Sequence, residues 1–102
     1  IRNSTGMATT VGYGTRFLHS TGQLHKGDGG NGIFIQFSTA HTEDAAIPDT
    51  AGSHATSISF GVLVMAQTLG DAQALLDNGR RLIRIHLAGD APALIGQLAD
   101  AL

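Results

Sequence analysis

His19 and Gln23 stand four residues apart in a segment that Arg16 opens and Lys26 closes, and these side chains are the part of the sequence best suited to chemistry. An imidazole titrates near pH 6.5, so it can both give and accept a proton around neutrality, while a carboxamide can orient a hydroxyl. The two cations suit an anionic ligand. At 100° per residue with Arg16 as zero, a helix would set His19, Gln23 and Lys26 at roughly −60°, −20° and −80°, with Leu18 and His25 opposite, at roughly 180–200°. No acidic residue falls between Thr15 and Lys26. A solvated polar face is the ordinary alternative, but cations, an imidazole and an amide on one stripe fit proton transfer on an anionic ligand better.

Gly12-Tyr13-Gly14-Thr15 precede this segment. If a helix starts at Thr15, the free N–H groups of Gly14 and Thr15 together with the helix dipole could attract a phosphate, although glycines there also serve a tight turn. Lys26, the one lysine of the chain, lies beside Gly27-Asp28-Gly29-Gly30 and could reach a phosphate or a sugar hydroxyl. A helix C-terminus also prefers a cation for its own sake.

The remaining titratable residues read more plainly. His25 is expected to pack. His41 and His54 flank a stretch holding Glu43, Asp44 and Asp49, but no spacing matches a metal site, so neither a metal nor another cofactor is expected. Arg84 and His86 alternate with apolar residues and so share one face of a strand, most simply a structural placement. Arg80-Arg81 reads as a solvated turn entering that strand.

The elements that would position these groups follow from pattern. Residues 7–11 are short and partly β-branched, a strand ending at Gly12. A first helix is expected over about residues 15–26, stopped by the glycine cluster 27–32. Ile33-Phe34-Ile35-Gln36-Phe37 is an almost continuous apolar run, which suits a strand covered on both faces. Residues 38–56 show no periodicity and read as a long loop. Ser59 caps a helix whose apolar positions recur at helical spacing until Asn78-Gly79, residues 82–87 form a strand, and Asp90 with Pro92 opens a last helix. The order β-α-β-α-β-α predicts an α/β three-layer sandwich around a small parallel sheet, flavodoxin-like, with ligands beyond the C-terminal strand ends.

Composition narrows the class. The chain has 102 residues, 42% of them hydrophobic, enough for one domain with a modest core. A formal charge of −2 and six scattered Lys and Arg residues argue against nucleic acid and anionic membrane as partners. No cysteine is present, which excludes disulfides and thiolate metal sites and suits a cytoplasmic protein. A start at Ile1 is what a piece of a longer polypeptide would show, so the whole chain, 1–102, is expected to be one α/β domain from the C-terminal end of a larger protein.

The run Ala8-Thr9-Thr10-Val11-Gly12-Tyr13-Gly14-Thr15-Arg16-Phe17-Leu18-His19-Ser20-Thr21-Gly22-Gln23-Leu24-His25-Lys26-Gly27 resembles glucose-6-phosphate isomerases, most closely the isomerase portion of bifunctional transaldolase/glucose-6-phosphate isomerase proteins. Ser59-Phe60-Gly61, Ala66-Gln67, Gly70-Asp71 and Gly79-Arg80-Arg81 resemble the tail of the same proteins, so the likeness runs in order over most of the chain and is thinnest across residues 38–56.

The resemblance implies an aldose–ketose isomerase of carbohydrate metabolism acting on a sugar phosphate. His19 and Gln23 match the family's His-x-x-x-Gln, whose histidine helps open the sugar ring. Arg16, Lys26, Gly14 and Thr15 become candidates for holding substrate. The family's Gly-Val-x-x-x-Lys element appears as Gly61-Val62 with Ala66 at the lysine position, and the glycine loop reads Asp28-Gly29-Gly30-Asn31 where relatives tend to have Gly-Gly-Pro-Asn. Glu43, the one glutamate, sits in the irregular stretch, so the carboxylate base and main phosphate pocket are expected in an upstream isomerase domain of the same chain. The isolated segment should then be inactive, and a homodimer is compatible. The rival readings are a non-catalytic module that binds sugar phosphate or stabilises a fused enzyme, and an unrelated flavodoxin-like domain.

Overall fold

The computed structural model of the chain describes residues 1–17 and 19–101. Its elements are α1 (Arg2–Thr5), α2 (Thr21–Lys26), β1 (Ile33–Thr39), β2 (Ala46–Ile47), β3 (Ile58–Ser59), α3 (Phe60–Asp77), β4 (Arg81–Leu87) and α4 (Ala91–Asp100). The protein is mixed α/β. Leu18, expected on the buried side of the first helix, lies outside the described residues.

Local chemistry explains the two longer helices. The Ser59 hydroxyl accepts the Val62 N–H at 3.3 Å and so occupies one of the unpaired donors at the start of α3. At the other end Asn78-Gly79 stops it, with the Gly79 N–H on the Leu76 carbonyl at 2.8 Å and the Arg80 N–H on the Leu75 carbonyl at 2.9 Å. Asp90 caps α4 by accepting the Ala93 N–H at 3.2 Å, and Pro92 sits in the first turn, where its missing N–H costs nothing.

β1 and β4 pair in parallel, Ile33 opposite Arg81 through Thr39 opposite Leu87. α3 supplies the crossover between them. The register gives the sheet two unlike faces. Phe34, Gln36, Ser38, Leu82, Arg84 and His86 share the face that α3 crosses, where the Gln36 amide donates to the Thr68 carbonyl at 3.1 Å. Ile33, Ile35, Phe37, Ile83, Ile85 and Leu87 share the other. Among the described residues buried apolar side chains are few: Ala72 and Leu75 on α3, and Leu87 at the end of β4. Ile33 and Ile83, by contrast, are 53% and 51% exposed. A radius of gyration of 16.2 Å exceeds the ~13 Å of a compact chain of about this length.

Two expectations need correction. Residues 7–11 form no strand, so the parallel sheet has two strands and not three. Val11 is 87% exposed, and the polar groups nearby turn to local partners instead, the Met7 N–H to the Thr5 hydroxyl and the Thr9 hydroxyl to the Met7 carbonyl. The first helix begins at Thr21 and not at Thr15. The Phe17 carbonyl collects the N–H groups of Ser20 and Gly22 at 3.0 and 2.9 Å, closing a turn where the helix was expected. Within the stretch expected as a loop, β2 pairs antiparallel with β3 just after it, a ribbon too short to carry a pattern in sequence.

Candidate functional site

Phe17 organises the region that holds His19 and Gln23. Its ring is gripped by two glycines: an ideal Cβ on Gly22 would lie 2.9 Å from the ring and from the Phe17 carbonyl, and one on Gly12 would lie 3.1 Å from the ring. Only hydrogen fits at Gly22. His25 extends this stack, 6.3 Å from the Phe17 ring and 5.5 Å from that of Phe34 on β1. The aromatic chain fastens α2 to the sheet, and the packed role expected of His25 is what the structure shows. A cavity of about 100 Å³ opens beside it, lined by Thr10, Val11, Gly12, Phe17, Thr21 and His25.

The residues singled out from sequence are not gathered on one helical stripe. Arg16 and His19 precede α2 in the turn region, both exposed; Gln23 is on α2 and also exposed. Gly14 and Thr15 belong to a turn six residues or more before the helix, so no helix N-terminus meets their N–H groups. Lys26 closes α2, but its ammonium lies 2.6 Å from the Asp71 carboxylate on α3, both side chains mostly covered. The segment carries no acid of its own, and the tertiary structure brings one to it.

The glycine loop after α2 is held from the other side. The Arg80 guanidinium lies 2.9 Å from the Asp28 carboxylate and donates to the carbonyls of Lys26 and Asp28 at 3.0 and 2.7 Å, while Asp28 accepts the Gly30 N–H at 2.9 Å. Arg81 donates to the Asn31 carbonyl at 2.9 Å. The Arg80-Arg81 pair is therefore a clasp on the loop and not a solvated turn. The sequence offered no sign of this beyond the acid at Asp28.

Asp44, in the stretch without pattern, meets the first turn of α3. Its carboxylate accepts the Gly61 N–H and the Ala45 N–H, each at 2.8 Å. The Ser59 hydroxyl and the Gly61 N–H hold Asp44 below the usual carboxylate range, against the opposing effect of desolvation, with the Ala45 N–H and the His41 imidazole adding to the shift. Beside it an open hollow of about 310 Å³ is lined by Ala46, Ser57, Ile58 and Val62 among others. Asp44 already occupies the helix end there.

On the sheet, Arg84 stands opposite Gln36 and His86 opposite Ser38, and both pairs are hydrogen-bonded. Among the described residues no group of three or more His, Cys, Asp or Glu could hold a metal ion, and no helix is long and apolar enough to cross a membrane. No family model, curated protein or solved structure matches the chain.

Proposed function

We propose that the chain is a segment of a glucose-6-phosphate isomerase, working on the interconversion of glucose 6-phosphate and fructose 6-phosphate together with an upstream domain of the same polypeptide. The reading rests on the ordered resemblance of residues 8–27 and of the stretches from Ser59 to Arg81. One observation of the structure carries it further: of the two histidines near α2, His25 is packed between Phe17 and Phe34, whereas His19, the one matching His-x-x-x-Gln, is open to solvent.

In this mechanism His19 exchanges a proton with the sugar ring to open it, and Gln23 orients a hydroxyl. Transfer of the proton between C1 and C2 through an enediol needs a carboxylate base. Glu43, remote in sequence and exposed, is not assigned that role, which falls to the upstream domain. The same domain would complete the three-layer, SIS-like sandwich. The exposed Ile33, Ile35, Phe37 and Ile83 on one face of β1 and β4 and the extended shape support a missing layer. A cytoplasmic location belongs to this reading.

Ala66 at the family's lysine position favours the second reading, a sugar-phosphate-binding module without catalysis. Turnover of the full-length protein separates the two. His19→Ala should lower kcat by roughly 10²–10⁴-fold with the fold kept, the usual worth of a positioned acid–base group. His25→Ala should cost stability first and little turnover per folded molecule. Equal kinetic losses, or none at His19, would leave the binding module.

A further inference from the structure

The face of the sheet that α3 crosses carries a polar row that none of the preceding roles uses. Gln36 and Arg84 are register partners at mid-strand, and Ser38 and His86 are partners one residue from the carboxyl ends, so the four form a row on one side that runs toward the carboxyl ends of two parallel strands. Parallel α/β sheets bind their ligands at that end. The row is also chained to the fold. The Thr68 carbonyl fixes the Gln36 amide at 3.1 Å, and the Gln36 carbonyl oxygen in turn accepts from Arg84 Nε at 2.9 Å. That sequence orients the guanidinium through its Nε edge. Its terminal nitrogens meet no acceptor and no carboxylate among the described residues, unlike Lys26 and Arg80, which are both ion-paired.

His86 is oriented in a similar way. Its Nδ1 lies 3.1 Å from the Ser38 hydroxyl. With that hydroxyl donating, Nε2 carries the ring proton and becomes a donor, and it has no protein partner among the described residues. Arg84 and His86 are both exposed, and neither strand places an acid on this face. A fixed guanidinium fork beside an imidazole donor is an arrangement for a multivalent oxyanion, since little side-chain freedom is left to lose on binding.

We propose that Arg84 and His86, positioned by Gln36 and Ser38, form a binding site for a phosphomonoester over the carboxyl-terminal half of β1 and β4. This site is separate from the α2 region and does not depend on the isomerase reading. Isotope-labelled full chain titrated with inorganic phosphate and with glycerol phosphate should show saturable NMR shifts at the Arg84 Nε–H and at the Ser38 and His86 amides. Arg84→Gln should weaken binding about 10- to 100-fold, the worth of charge-assisted hydrogen bonds. Arg84→Lys, which keeps the charge and loses the fork, should weaken it nearly as much. Circular dichroism would show both variants folded. His19→Ala should leave the affinity unchanged. The site is refuted by shifts that do not saturate, by unchanged affinity in Arg84→Gln, by full affinity in Arg84→Lys, by acetate binding as well as phosphate, or by loss of binding in His19→Ala.

Discussion

The Asp44 carboxylate accepts the Gly61 N–H at 2.8 Å and so ties the stretch after β1 to the first turn of α3. A helix start has N–H groups with no partner inside the helix, and here Ser59 takes one from its own cap position while Asp44 takes another from a distance. The approach is close enough that an ideal Cβ on Gly61 would lie 2.6 Å from Asp44 Oδ2. Gly61→Ala should therefore destabilise the protein by about 1–3 kcal/mol through steric conflict. In an Asp44→Ala background the same change should be neutral or stabilising, because alanine is the better helix former. Denaturant unfolding of the four proteins in the cycle measures this. A penalty that survives without the carboxylate would show that the obstacle is something else.

Acid should loosen the same region. Asp44 and Asp49 are both held below the ordinary 3.8, Asp49 by the Ser57 hydroxyl at 2.5 Å and the Ser57 N–H at 2.9 Å. A lowered folded-state pKa means that the unfolded chain takes up the proton first as pH falls. The stabilisation is thus fully present above 3.8 and disappears as the pH drops through the lower folded values. Unfolding midpoints followed from neutrality into acid should decline most steeply below 3.8, and Asp49→Asn should flatten part of the decline. A variant whose curve runs parallel to that of the parent would remove Asp49 from the account.

Gly22 and Gly14 offer a contrast at the Phe17 ring. A Cβ on Gly22 would stand 2.9 Å from both ring and carbonyl, whereas one on Gly14 would meet the ring at an ordinary 3.6 Å. Gly22→Ala should speed hydrogen exchange of the α2 amides by about fivefold or more, since overpacking of this kind costs at least about 1 kcal/mol. Gly14→Ala should leave those amides unchanged. Identical exchange in the two variants would mean that the ring is free to move aside.

The two arginines before β4 should differ in weight. Arg80 is largely covered, pairs with Asp28 and serves two carbonyls, so Arg80→Met should cost about 1.5–3 kcal/mol and free the glycine loop. Arg81 makes one exposed bond to Asn31, and Arg81→Met should cost less than about 1 kcal/mol. Thermal unfolding of the two variants decides it; equal costs would contradict the clasp.

Sequence alone determined the elements whose signals are local. Ser59 and Asp90 accept N–H groups within their own first turns, Asn78-Gly79 ends α3 through neighbouring carbonyls, and the apolar run from Ile33 forms a strand because its β-branched and aromatic side chains suit one. The packing of His25 could be anticipated in the same way, from its place opposite the polar residues. The tertiary structure decided the rest. Whether residues 7–11 become a strand depends on a partner edge, which no local pattern encodes. Asp71 beside Lys26, Asp28 beside Arg80, Asp44 under α3 and the Gln36–Arg84 and Ser38–His86 pairs all join residues far apart in the chain. A charge in sequence states what a side chain can offer. Its partner is set by register and crossover, because hydrogen bonds and ion pairs act over a few ångströms of space and take no account of distance along the chain.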